Sequence, residues 1–464
     1  MVLRVLDHID HLVTFDADDR ELTDATVVWR DGWIVAVGDR AVPVDLDEIA
    51  SPGEQVERLD GRGLIVTPGL VNAHQHITQV GFRSLRGMER APILPWLRRL
   101  TETVLERAET GRFGPDAVRA LAVAGFAESV AGGTTCVGEQ QYHYPQLAGG
   151  GRERLLDAIV DAADSVGIRL NAGRGCLTRT AEQGAGAPPA VIEPLSSVID
   201  DWERLIETHH DPAPGAMVRV DLAPCGVHTD TVETFAAAAD LAARHPGVGL
   251  HTHGYEQVDT DFAAERGTTV WRMLCDAGWD RPGTWLAHMV DPPDDEIAAF
   301  AAAGVGVAHL VAPDLRMGWG LAPVRRYLEE GVTLGFGTTG SASNDGANLL
   351  GDLRVAALAH RMDPDPERWP TVRELLAMAT RGSAACLGRP DAGRVEVGAV
   401  ADLAAWSLHG VDRVGIDDPV VGLVLTGLSD RAELVVVDGE PIVVDGTVAT
   451  VDEAEVAAAA RAVC

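Results

Sequence analysis

Between residues 64 and 337 the chain repeats one pattern: a short apolar run, then a helix-length stretch that is often rich in alanine. The apolar runs are Leu64–His74, Thr134–Gly138, Ile168–Ala172, Met217–Leu222, Gly249–His253, Thr284–His288, Gly304–His309 and Thr333–Gly337. Short apolar runs bounded by turn residues fit strands buried on both faces, while Thr231–His245 and Asp294–Ala303 fit the intervening helices. Eight such units predict an α/β chain folded as a (β/α)8 TIM barrel.

The pattern changes at both ends. Leu12–Phe15, Thr26–Trp29 and Trp33–Val37 near the start are β-rich, as are Asp402–Trp406, Leu423–Thr426, Ala432–Val437 and Ile442–Val444 near the end. Asp31-Gly32 and Asp438-Gly439 read as hairpin turns. These flanks predict a small β-sandwich domain built from both termini, residues 1–62 and 387–464, around a barrel domain spanning 63–386.

Composition narrows the function. Of 464 residues, 38 are basic and 70 acidic, a formal charge of −32. That balance argues against nucleic acid and against an anionic membrane surface, both of which need clustered cations. No apolar run is long enough for a spanning helix, and the polar Asp7 and His8 interrupt any secretory signal. Cys136, Cys176, Cys225, Cys275, Cys386 and Cys464 are scattered without a C-x-x-C pair, which fits reduced thiols in the cytoplasm. The chain contains no lysine, which excludes a lysine Schiff base, a phosphate-loop lysine and a carbamylated lysine bridging two metals.

In a barrel the C-terminal strand ends line the mouth, so histidines there converge in space. Pro68-Gly69-Leu70-Val71-Asn72-Ala73-His74-Gln75-His76 puts two imidazoles on one face of a strand end, since strand side chains alternate. His251-Thr252-His253 ends another run, and only one of its histidines need face the same point. Glu256, three residues on, is placed to shuttle protons, and His288 closes the sixth run. Imidazole nitrogens suit zinc, and iron, copper or nickel as well.

These motifs resemble the amidohydrolase superfamily, in its branch of cytosine, guanine and triazine hydrolases, and the likeness runs through nearly the whole chain. It includes Gly398-Ala399-Val400-Ala401-Asp402-Leu403, which resembles the family's return into the small β domain. Two stretches, His309 through Pro323 and Gly335 through Asp345, are similar to the s-triazine (atrazine-type) chlorohydrolases that remove chloride or alkylthio groups. The resemblance implies metal ligands at His74, His76, His253 and His288, with Glu256 as the proton-transfer residue. It implies one divalent metal per chain, zinc before iron, and a homodimer. His309 matches a strand-end position without a metal role and is expected to be structural.

Two departures shape the substrate. Most of the superfamily has aspartate at the end of the eighth strand; here that position is Thr339, as in the triazine hydrolases. A hydroxyl can orient water but cannot act as a carboxylate base, so loss of chloride or thiolate is expected to be easier than loss of amine. At Gln140-Gln141-Tyr142-His143 the histidine follows the aromatic instead of preceding it, so Gln141 and His143 are expected at the pocket. Trp319, Met317 and Trp96 are expected as walls for a flat heterocycle, and Asn344 as a further contact. The expected activity is metal-dependent displacement of chloride, alkylthio or amino from a small N-heteroaromatic ring. Two alternatives stay open: an aminohydrolase of a purine, pterin or pyrimidine, and a non-catalytic oligomeric scaffold.

Overall fold

The computed structural model describes residues 2–147, 149–184, 187–426 and 431–464. Eight parallel strands form one sheet in strict chain order: Leu70–Gln75, Thr134–Gln141, Arg169–Arg174, Val218–Leu222, Gly249–Gly254, Thr284–His288, Gly306–His309 and Thr333–Phe336. The first and last strands lie side by side, and the Thr339 amide donates to the His74 carbonyl at 2.9 Å to close the ring. This is the TIM barrel that the apolar runs predict. The first, second, third, fifth and sixth strands are buried along their whole length, which is why they read as unbroken runs.

The termini build two further sheets. A four-stranded sheet holds Val2–Ile9, Ala25–Arg30, Trp33–Gly38 and Gln55–Asp60. A seven-stranded sheet joins His11–Val13, Glu21–Leu22 and Leu64–Pro68 from the N-terminal side with Leu403–Ser407, Leu434–Val437, Glu440–Val444 and Thr447–Val448. Leu6, Val27 and Trp29 from the first pack against Leu12, Val66, Leu403 and Val436 from the second in one buried cluster. Asp31-Gly32 and Asp438-Gly439 both adopt left-handed pairs, φ 48° and 80° and φ 52° and 77°, as tight hairpins of right-handed twist require.

Two expected elements are corrected. The run 64–74 is not one strand. Leu64–Pro68 pairs antiparallel with Leu403–Ser407 in the outer sheet, and only Leu70–Gln75 belongs to the barrel. Gly69 is the crossing point: its amide donates to the Asp402 carbonyl, while the next amide, of Leu70, donates to Gly133 inside the barrel. A Cβ at Gly69 would lie 2.2 Å from the Thr135 side chain, so only glycine fits the close approach. The run Leu423–Thr426 is not a strand but the end of a helix, Pro419–Leu425. Proline in its first turn and Asp418, whose carboxylate accepts from the Val420 and Val421 amides, start a helix that outweighs the apolar, β-branched composition.

Barrel and outer sheets are joined by a buried ion pair. Arg169, at the base of the third barrel strand, meets Asp402 at 2.7 Å and Asp438 at 2.9 Å. All six cysteines are free thiols. Among the described residues, no helix is long and apolar enough to cross a membrane.

Candidate metal centre and its cavity

His74 and His76 stand at the end of the first barrel strand, His253 near the end of the fifth and His288 at the end of the sixth. All four are buried. Their ring centroids lie 4.7 Å apart for His74 and His76, 4.9 Å for His74 and His253, and 5.4 Å for His253 and His288. In each imidazole the Nδ1 atom is already engaged. His76 Nδ1 donates to the Gln140 carbonyl at 2.8 Å and His253 Nδ1 to the Cys225 carbonyl at 2.6 Å. His74 Nδ1 meets His251 Nε2 at 2.7 Å, and His288 Nδ1 meets Asp314 Oδ1 at 2.6 Å.

This arrangement leaves the Nε2 atoms turned toward the cluster, with His74, His76 and His253 in one group and His288 beside His253 and Glu256. His74 Nε2 is buried without a hydrogen-bond partner. His76 Nε2 and His253 Nε2 face each other at 3.3 Å, although both Nδ1 atoms already carry the donated proton. Burial holds His74 and His76 well below the usual histidine range and pulls His253 and His288 down to about 3, so the rings are neutral. Neutral rings with Nδ1 tied back and converging Nε2 lone pairs are a poor hydrogen-bond network and a good cation site. Donor atoms of His74, His76 and His253 lie within 4.8 Å of one another, as do those of His253, Glu256 and His288. The donor set therefore fits a divalent metal with nitrogen preference.

Glu256 sits just past the fifth strand, at the cap of the helix Gln257–Ala264, with Oε1 3.3 Å from His288 Nε2. Burial, then the nearby Asp259 and Asp314, push its carboxyl well above the ordinary range. Thr339 follows the eighth strand with φ 51°, a strained conformation for a β-branched residue. Its neighbour Thr338 is clamped from both sides: Asn72 donates to its hydroxyl at 2.8 Å and Asn344 to its carbonyl at 2.8 Å.

Above these residues opens a cavity of about 420 Å3, in the range of small-molecule sites. His76, His253, His288, Glu256 and Thr339 line its floor. Trp96, Met317, Trp319 and His143 line its walls. Gln141 and Asn344 do not reach it. Gln141 spends its amide on bracing its own loop, accepting from Thr78 Oγ1 at 3.1 Å and donating to the His143 carbonyl at 2.8 Å. Asn344 holds Thr338 and Asp352. His309 lies off the cavity, its Nε2 3.1 Å from His360 Nε2.

Sequence reasoning missed the groups that orient the imidazoles. Asp314 is fully buried and lies 26 positions beyond its partner His288, with no spacing rule to connect them. His251 is visible in the sequence only as the first histidine of its pair, without a direction. Tyr142 forms wall as well, its ring 5.0 Å from that of His76.

Residues 65–448 match the amidohydrolase family. The chain is 35% identical over 458 residues to the hydroxydechloroatrazine ethylaminohydrolase of Pseudomonas sp. (strain ADP), covering 97% of this chain and 93% of that protein. It is 34% identical over 422 residues to the 8-oxoguanine deaminase of Pseudomonas aeruginosa, covering 89% and 91%. The crystal structure of atrazine chlorohydrolase from Arthrobacter aurescens TC1 complexed with zinc superposes with a TM-score of 0.94, at 45% identity and full coverage of both chains.

Proposed function

This chain belongs to the amidohydrolase family and is a metal-dependent hydrolase, and on that footing we propose that it displaces a leaving group from an electron-poor N-heteroaromatic ring of the s-triazine class. The observation that carries the reading is the cavity itself. Converging imidazole nitrogens and one protonatable carboxyl form the floor, and flat or apolar side chains form the walls.

His74, His76, His253 and His288 would hold the metal, zinc in the first instance as in the chlorohydrolase complex. When bound there, a divalent metal supplies Lewis acidity that brings the pKa of a coordinated water toward neutrality. The protein does the rest. Trp96, Met317 and Trp319 confine the ring and exclude bulk water. The Thr339 hydroxyl, fixed by the clamped backbone before it, orients the attacking water. Glu256 takes up the proton that the attacking water gives up and passes it to the ring nitrogen on which charge builds as the C–O bond forms. As the ring carbon–leaving group bond breaks, that proton returns to Glu256 and the ring recovers its aromaticity. Chloride or thiolate leaves without first being protonated; an amine leaves only after taking the proton.

The likeness to an ethylaminohydrolase and to a deaminase makes amine release the second reading. Purified protein with its metal counted, offered chloro-, methylthio- and alkylamino-triazines beside 8-oxoguanine and a pterin, decides between them. About one metal per chain with chloride or thiol release supports the proposal. Ammonia release from purines or pterins alone refutes it. We also propose a cytoplasmic homodimer: the six free thiols fit a reducing compartment, and sedimentation of the purified protein tests the dimer.

A further inference from the structure

One polar group on the cavity wall is left over by this mechanism. His228 follows the fourth barrel strand and lines the cavity beside Leu177, Pro188 and Cys225. Its ring is held from behind: Nδ1 lies 2.7 Å from Oδ1 of Asp259, which also accepts from the His228 backbone amide at 3.3 Å. Asp259 is fully buried, and the helix opened by Glu256 fixes it, its amide donating to the Glu256 carbonyl at 3.0 Å. A carboxylate can only accept, so the imidazole proton sits on Nδ1. In the neutral ring His228 Nε2 presents a lone pair, and it has no hydrogen-bond partner among the described residues.

We propose that His228, oriented by Asp259, is a specificity-determining residue that accepts a hydrogen bond from an N–H group on the ring substrate. The assignment rests on the ring-hydrolase reading above and deepens it: the favoured substrates carry a primary or secondary amino substituent. An acceptor set in a mainly apolar wall loses its water when a ligand fills the cavity. Only a ligand that brings a donor restores the lost bond, and one that brings a methyl group leaves the acceptor buried and unpaired.

The test compares two chlorotriazines that differ only in one alkylamino nitrogen, N–H in one and N–CH3 in the other. Wild-type protein should prefer the N–H compound by about 10- to 100-fold in kcat/KM, the size of one buried unpaired acceptor. In His228→Phe that preference should collapse toward unity. In His228→Gln, whose amide oxygen can still accept, part of it should return. Dissociation constants of both compounds on Glu256→Gln protein, with and without His228→Phe, should follow the same pattern without turnover. A preference that survives His228→Phe overturns the assignment alone. Turnover of neither compound by wild-type protein overturns the ring-hydrolase reading and the assignment with it.

Discussion

His74 Nδ1 and His251 Nε2 lie 2.7 Å apart, and His251 Nδ1 in turn meets the Trp285 carbonyl at 3.0 Å. Protons therefore run outward along one line, from His74 to His251 to the backbone, and His74 Nε2 is left as a lone pair. The His251 ring is stacked on Trp285 at 4.4 Å and 13°, so it cannot turn away. The two histidines of the fifth strand thus divide their work: His253 faces the cluster, and His251 orients a histidine of another strand.

Replacing His251 by Phe should keep the stacking and remove the acceptor. Metal affinity, read by competition with a chelator, should fall about 10- to 100-fold, as for other groups that orient a ligand. Unchanged affinity would show that His74 needs no acceptor behind it. Asp314→Asn acts on His288 in the same way and should fall in the same range.

Glu256→Gln should lower kcat/KM by about 10²- to 10⁴-fold, the usual weight of a positioned acid–base group. Metal content should stay near that of wild-type protein, because four imidazole donors remain. Loss of metal along with activity would recast Glu256 as a ligand.

At Thr339 the expected result is a change in leaving group. Thr339→Asp places a second carboxylate at the floor and relieves a left-handed conformation that aspartate tolerates better than threonine. Chloride release should drop about tenfold or more while amine release rises, since departing amines need the added acid–base group. Equal changes in both rates would separate Thr339 from leaving-group choice.

Asp352 gives a pH signature in stability. Burial raises its carboxyl to about 7, against an opposing hydrogen bond from Asn344. The folded chain thus keeps a proton that the unfolded chain gives up near about 4. The contribution of Asp352 to stability should fall as pH rises from about 4 to about 7 and level off above, with a slope of at most about 1.4 kcal/mol per pH unit. Asp352→Asn cannot ionise, so its advantage over wild-type protein should grow between about pH 5.5 and about pH 7 in denaturant unfolding. An advantage that does not change with pH would refute the assignment.

The barrel was legible because strands buried on both faces leave continuous apolar runs, and the clustered histidines because they stand at or beside the ends of those runs. What was illegible has a common cause. The break at Gly69 falls between two apolar segments, so burial alone does not reveal that the chain changes sheets there. The carbonyls of Gln140, Cys225 and Trp285 orient three imidazoles without leaving any side-chain trace. Gln141 and Asn344 are polar residues in the right loops, but polarity does not tell which way a side chain points. Both brace backbone and are absent from the cavity lining.

The crossing at Gly69 also sets a timetable for biosynthesis. Leu64–Pro68 finds one neighbour early, His11–Val13, but its other neighbour, Leu403–Ser407, is made near the end of translation. At about 5–20 residues per second, one edge of that strand waits tens of seconds on the ribosome. The barrel strand Leu70–Gln75, which carries His74, begins after a single glycine, so its outer anchor is complete only once the last sheet forms, although its barrel neighbours are made earlier. A nascent chain stalled before residue 403 should therefore hold metal less firmly than the released protein, which the metal content of the two, measured side by side, would check.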